Sequence, residues 1–201
     1  MLLLILISIS SCQKRTTPLT FKTETLKAAT LDHCADGICP IIEIEKIKVF
    51  GREHFADTIN NAVDQVLLNN LVIAPEEEPD IKTLDQALKH FISSYRVYKS
   101  DFPEAGTEYE INSTSQVSYN GAQLLSIKFE NYTYWGGAHG YGSTTYLNFD
   151  KDAETSLNNE ALFKDYAGFL KLAETQFRNQ KKLSAEENIN STGFYFENDV
   201  F

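Results

Sequence analysis

The densest group of residues that could bind or react lies near the middle of the chain, in the segment Y-T-Y-W-G-G-A-H-G-Y-G at residues 132–142. Its glycines permit positive φ angles and close backbone approach. Its aromatic rings can stack on sugar faces or on a partner protein. The segment therefore predicts a recognition loop between two strands, with these binding residues: Tyr132, Tyr134, Trp135, Gly136, Gly137, His139 and Tyr141.

Two other interpretations of the same segment stay open. In one, His139 acts as an acid or base, which needs a carboxylate or a metal beside it. In the other, the glycines only pack under the rings and the loop is a structural crossover. The sequence contains no Gly-x-Ser-x-Gly, His-Glu-x-x-His, P-loop or dinucleotide-binding motif. We therefore predict a domain that is not an enzyme and carries no cofactor or metal.

Composition and charge exclude several classes of protein. The 201 residues are 42% hydrophobic and 23% charged, which is typical of a folded globular chain. The net charge of −10 argues against nucleic-acid binding and is compatible with a basic partner. Beyond the first nine residues, no apolar run approaches the roughly 20 residues that cross a bilayer.

The start of the chain has the pattern of a bacterial export signal. Leu2–Ile9 is apolar apart from Ser8, and it has the length of a signal-peptide core. The next residues, Ile9-Ser10-Ser11-Cys12, resemble the lipobox, whose cysteine receives lipid. We expect a signal peptide at 1–11 and a membrane anchor through lipid on Cys12, which would place the chain in the envelope, facing the periplasm or cell surface. An ordinary cleaved signal peptide is the alternative.

Residues 12–40 are predicted to form a lipid tether and a disulfide loop. The stretch after Cys12 is polar to about Ala29 and has no strong periodicity, as in a linker. Cys34 and Cys39 then remain as an even pair, and exported proteins oxidise such pairs. A metal site built on His33 and these cysteines would lack a second motif to complete four ligands.

Hydrophobic spacing predicts the elements that hold the loop. The spacing of apolar residues predicts three helices: one from Phe55 to about Leu71, one that follows a capping box at Thr83–Gln86, and one over about 159–182. Strand-like alternation marks the other elements: 41–50 with a bulge near Glu45–Lys46, 109–119, 125–129, 143–150 and the aromatic end at 192–201. The predicted fold class is α+β, with a mainly antiparallel sheet and helices packed on one face.

The turn at Asn120-Gly121 poses a register problem. Apolar residues occupy odd positions in both flanking strands, so a two-residue turn would place odd residues opposite even ones. We therefore predict a three-residue loop over 120–122, with Gly121 in the left-handed region.

Three segments together resemble a known family: 124–127 (L-L-S-I), 132–140 (Y-T-Y-W-G-G-A-H-G) and 146–150 (Y-L-N-F-D). They are similar to the paired envelope domains of the peptidoglycan deacetylase PdaC and the anti-sigma factor RsiV. The resemblance implies a first α+β domain at 41–140 and the start of a second at 141–201, which we expect to be incomplete.

The resemblance also implies a function. RsiV-like proteins bind lysozyme, and PdaC-like proteins carry the pair beside an enzyme that acts on cell-wall glycan. Together with the lipobox, it implies a lipid-anchored, non-catalytic envelope module that recognises peptidoglycan or a lysozyme-like protein. A glycan-modifying enzyme that uses His139 and a purely structural envelope lipoprotein are the alternatives.

Overall fold

A computed structural model describes residues 17–35, 37–72, 80–104, 106–194 and 196–201. The predicted signal peptide and Cys12 lie outside these ranges. Contacts divide the chain into two units, one ending at Ser156 and the other comprising Leu157–Phe201. Within the described ranges, no helix is both long and apolar enough to cross a membrane.

The strands form one six-stranded sheet whose spatial order follows the chain. Strands β2 and β3 are parallel, whereas β1/β2, β3/β4 and β4/β5 are antiparallel. The sheet is thus mainly antiparallel and the α+β prediction is confirmed. The strands are β1 (Thr20–Lys27), β2 (Ile41–Phe50), β3 (Glu110–Asn120), β4 (Leu124–Tyr134), β5 (Tyr141–Asp150) and β6 (Thr155–Leu157).

Two helices connect the parallel strands β2 and β3, because parallel neighbours need a crossover. They are α1 (Glu53–Leu71) and α2 (Leu84–Asp101), and the predicted capping box begins α2. Thr83 Oγ1 accepts from the Gln86 N–H, and the Gln86 side chain accepts from the Thr83 N–H, both at 3.2 Å. The apolar stripes of both helices share one core with the sheet, which includes Phe55, Ile59, Leu67, Phe91, Ile111, Ile127 and Phe149.

In strand β2 the buried residues switch from even to odd positions near Glu45–Lys46, where we predicted a bulge, but no bulge causes the switch. Its pairing with β1 continues without a shift, while its ladder to β3 ends at Glu45. Beyond that point the Ile47 N–H donates to Ser115 Oγ (2.7 Å). The side chain of Asn60, on α1, hydrogen-bonds both the N–H and the carbonyl of Val49, at 2.9 and 3.0 Å. The strand therefore leaves β3 and follows the helix, with no residue inserted against β1.

In the β3–β4 hairpin, the extra residue that keeps the apolar faces together lies within strand β3 and not in the turn. Our prediction of a three-residue loop was therefore wrong. Val117 lies opposite Ile127, but Tyr119 lies opposite Ser126, which places the extra residue within β3. The Gly121 N–H donates to the Leu124 carbonyl across a two-residue turn, and Gly121 does not have a positive φ. A bulge in the strand preserves the apolar faces as well as a longer loop would.

Residues 20–27, which fall within the predicted tether, form strand β1. This strand is an edge strand whose exposed residues are mostly Thr, Lys and Glu, and only Phe21 and Leu26 pack on the core. Such a pattern resembles a polar linker.

The disulfide between Cys34 and Cys39 is confirmed, with a Cα–Cα distance of 5.7 Å. Arg96, on α2, holds the loop by donating to the carbonyls of Ile38 (3.0 Å) and His33 (2.6 Å). No group of His, Cys, Asp and Glu in the described part of the chain is arranged to hold a metal ion.

The domain boundary predicted at 140/141 stays a prediction. Strand β5 pairs along its whole length with β4 and belongs to the first unit, which ends at Ser156.

The second unit contains helix α3 (Tyr166–Lys181), which starts later than predicted because Asp165 caps it by accepting from the Gly168 N–H (2.8 Å). The predicted C-terminal strand is absent from the described residues. Short 3-10 turns at Ile189–Thr192 and Glu197–Asp199 replace it, since Gly193, Asn198 and Asp199 adopt positive φ.

Candidate functional site

The predicted recognition loop is the connection between β4 and β5. Gly136 and Gly137 both lie in the left-handed region, with φ of +86° and +90°, where residues with a Cβ are strained. The Tyr134 hydroxyl donates to the Gly137 carbonyl (2.8 Å) and closes the loop. The sequence folds this way because two consecutive glycines allow the chain to reverse directly after Trp135.

Trp135 packs against the core. Its ring meets the fully buried Phe91 edge-on at 4.7 Å and lies 5.6 Å from Tyr109 and 6.1 Å from His90. Its Nε1 is buried and has no hydrogen-bond partner among the described residues. Gly136 lies beside the same cluster, and a Cβ there would come within 3.3 Å of the Tyr109 ring. The tryptophan therefore anchors the loop, and its ring is less available to a ligand than the sequence suggested.

The aromatic cluster beneath the loop contains two tyrosines whose pKa is raised. Burial, with the neighbouring phenols of Tyr98 and Tyr134, raises the pKa of Tyr109 above 10.0. Burial, with the charge of Glu108, raises the pKa of Tyr95.

We expect these two tyrosines to make the fold sensitive to alkali. Above pH 10.0 the unfolded chain loses phenolic protons that the folded chain retains, so the free energy of unfolding falls as the pH rises. Urea unfolding on both sides of that pH measures the slope. Tyr109→Phe should reduce the slope, and an unchanged slope would show that Tyr109 ionises normally in the fold.

A cavity of about 430 Å³ lies between the loop and the end of α1. From the loop side it is lined by Trp135, Gly136, His139 and Tyr141, and from the other elements by Asn69, Asn70, Val72 and Thr133. Tyr141 is 68% exposed, and His139 is exposed, with Nδ1 3.3 Å from the Gly140 carbonyl oxygen. The Asn70 Nδ2 is buried without a partner in the part of the chain that the structure describes.

Tyr132 lies on the other side of the sheet. It faces away from the core, and its phenol covers Gly140, where any Cβ would overlap it. Beside it is a second recess of about 400 Å³, whose lining includes Asn112, Thr114, Glu130, Gly142 and Thr144. The structure thus divides the predicted residues between two sides of one hairpin.

Sequence reasoning missed the partners that other elements supply. Asn69 and Asn70 lie in the last turn of α1 and Val72 directly follows the helix, more than sixty residues before His139. The available signal was a pair of adjacent amides in the last turn of an amphipathic helix.

His139 contacts a backbone carbonyl and, in the described ranges, no carboxylate. The groups around the cavity are amides, hydroxyls and aromatic rings, which suit a neutral ligand with many hydroxyl or amide groups.

Comparison with known proteins identifies the family. The family model described as deacetylase PdaC matches residues 41–141, half of the chain. The chain belongs to the PdaC family. The matched range lies within the first unit and includes strands β2 to β4 and residues 132–141 of the recognition loop.

The peptidoglycan-N-acetylmuramic acid deacetylase PdaC of Bacillus subtilis (strain 168) is 25% identical over 120 residues. The match covers 55% of this chain and 26% of that protein, so the chain spans about a quarter of the length of this curated relative.

Two solved structures share the fold. A member of the DUF3298 family from Bacteroides fragilis NCTC 9343 is 19% identical, with a TM-score of 0.57 over 88% of this chain and 74% of that one. A DUF3298 family protein from Pseudomonas aeruginosa PAO1 is 18% identical, with a TM-score of 0.50 over 88% and 73%.

Proposed function

We propose that this chain is a non-catalytic, lipid-anchored binding module of the bacterial cell envelope, which recognises peptidoglycan through its β4–β5 loop. The observation that carries the proposal is the 430 Å³ cavity between this loop and the end of α1. Its volume is within the range of about 300–1,000 Å³ that is usual for small-molecule sites.

The residues around the cavity match the chemistry of a glycan. Tyr141 offers an exposed ring for a sugar face. Asn69, Asn70 and Thr133 offer amide and hydroxyl groups, which pair with sugar hydroxyls and acetamido groups. No Asp, Glu, Lys or Arg is among the described lining residues, so a neutral part of the ligand fits best.

The envelope location rests on three independent features. The curated relative is named a peptidoglycan deacetylase, the Cys34–Cys39 disulfide is typical of exported proteins, and Ile9–Cys12 resembles a lipobox. Lipid on Cys12 would hold the domain at the membrane, facing the periplasm or cell surface.

Calorimetric titration of the purified chain, kept in detergent, with a single disaccharide-peptide fragment of peptidoglycan tests the proposal. We expect saturable binding that weakens about tenfold in the double variant Tyr141→Ala/His139→Ala, a loss of about 1.4 kcal/mol. Both side chains are exposed, so the variant should unfold at the wild-type urea concentration.

Tyr119→Ala is the matched control, because Tyr119 is 55% exposed and lies at the opposite end of β3. It should bind the fragment as the wild type does. Equal affinity of the loop variant and the wild type would remove the loop from the proposal, and a wild-type chain that binds no fragment would overturn it.

A lysozyme-like protein is the second candidate partner, and the net charge of −10 favours it. Long-range attraction to a basic protein would raise the association rate. Binding to lysozyme should then weaken steeply as salt is added, because screening shortens the reach of these charges. A salt-independent affinity would exclude charge steering.

A further inference from the structure

We propose that the outer face of strands β3–β5 is a second carbohydrate-binding surface, which takes the continuation of the glycan chain. The inference rests on the proposed function for its choice of ligand. It concerns the side of the sheet opposite the core, which the loop cavity does not reach.

The register places two exposed tyrosines on this face. Tyr132 lies opposite Gly142, and Lys128, four residues earlier in β4, lies opposite Tyr146. Tyr132 and Tyr146 are 39% and 52% exposed. At about 3.4 Å per residue they are separated by about 14 Å along the strands, which is long enough to engage successive sugars of one chain.

The surface between the rings is shaped for a neutral ligand. Gly142 has no side chain, so a recess of about 400 Å³ opens beside Tyr132. Asn112, Thr114 and Thr144 line it with amide and hydroxyl groups.

The charges in this region compensate each other. Glu130 lines the recess, and its carboxylate pairs with Lys128 Nζ at 2.8 Å. Aromatic rings beside neutral hydrogen-bonding groups match the two sides of a sugar ring, one apolar and one rich in hydroxyls. A strongly charged partner would find little opposite charge in the recess.

The hairpin connects the two surfaces. The Tyr132 phenol covers Gly140, which belongs to the same loop as His139 and Tyr141 of the cavity. Tyr132 is therefore held at the point where a chain leaving the cavity could pass over the end of the hairpin. A ligand that occupies two linked subsites at once binds far more tightly than a ligand that occupies only one of them.

The test compares two probes on the purified chain in detergent: the single disaccharide-peptide and long peptidoglycan glycan strands. The wild type should bind long strands at least about tenfold more tightly than the disaccharide. The double variant Tyr132→Ala/Tyr146→Ala should lose most of that gain and keep the wild-type affinity for the disaccharide. Phe102→Ala is the aromatic control, since Phe102 is 59% exposed just after α2, and it should bind both probes normally.

The outcomes separate the two proposals. If the disaccharide binds but long strands gain nothing, or the double variant keeps full affinity for long strands, the second surface is overturned and the loop cavity stands. If neither probe binds the wild type, the proposed function itself fails and the second surface with it.

Discussion

Replacing Trp135 with alanine should lower the free energy of unfolding by about 2–4 kcal/mol, somewhat below the usual cost for a fully buried aromatic residue. The ring fills the space between Phe91 and Tyr109, and its loss leaves a gap that the fixed helix α2 cannot close. The expected cost therefore approaches that of a core residue, although Trp135 belongs to the loop predicted to bind.

Urea unfolding followed by circular dichroism measures this effect, since the variant lacks the chain's one tryptophan. Trp135→Phe keeps an aromatic ring and removes the buried Nε1, so its cost should be clearly smaller. The control is His139→Ala, whose exposed side chain predicts a change within about 0.5 kcal/mol. If Trp135→Ala unfolds at the wild-type urea concentration, the ring contributes no packing energy and is free for a ligand.

Replacing Asn60 with alanine should cost about 2–5 kcal/mol, because it leaves two buried backbone groups without a partner. The Asn60 side chain accepts from the Val49 N–H and donates to the Val49 carbonyl. At this point β2 has already left β3, so no neighbouring strand replaces those bonds. Asn60 is 8% exposed and water cannot easily take its place.

Asn61→Ala is the matched control, one residue further along the same helix and exposed. It should change the free energy of unfolding by less than about 0.5 kcal/mol. Equal stabilities of the Asn60 and Asn61 variants would mean that Val49 finds other partners when the amide is removed.

Local patterns were enough to predict the helices and the disulfide. Helix α2 begins at its predicted capping box because those hydrogen bonds join residues three positions apart. The Cys34–Cys39 pair is separated by five positions, so nearness in sequence and an oxidising compartment were sufficient to indicate the bond. Both features depend on neighbours that the sequence itself places together.

Edge and terminal segments were harder to predict, because partners elsewhere in the chain determine their structure. Strand β1 has few apolar residues, since an edge strand exposes most of its side chains. The aromatic end at 192–201 has strand-like composition, yet Phe194, Phe196 and Phe201 gather around Phe177 of α3 in an irregular arrangement. The sequence showed that the β3–β4 hairpin needs one extra residue, because apolar residues occupy odd positions in both strands. Only the strand pairing placed that residue as a bulge in β3.

For the site, composition alone indicated that the segment 132–142 contains a tight, aromatic, glycine-dependent connection between two strands. Only the tertiary structure decided which rings are available. The position of α2 draws Trp135 into the core, and the strand register turns Tyr132 to the opposite face. The end of α1 supplies Asn69 and Asn70 to the cavity. The reason is physical: glycine content and ring chemistry are properties of a segment, whereas exposure and the shape of a cavity depend on what packs against it.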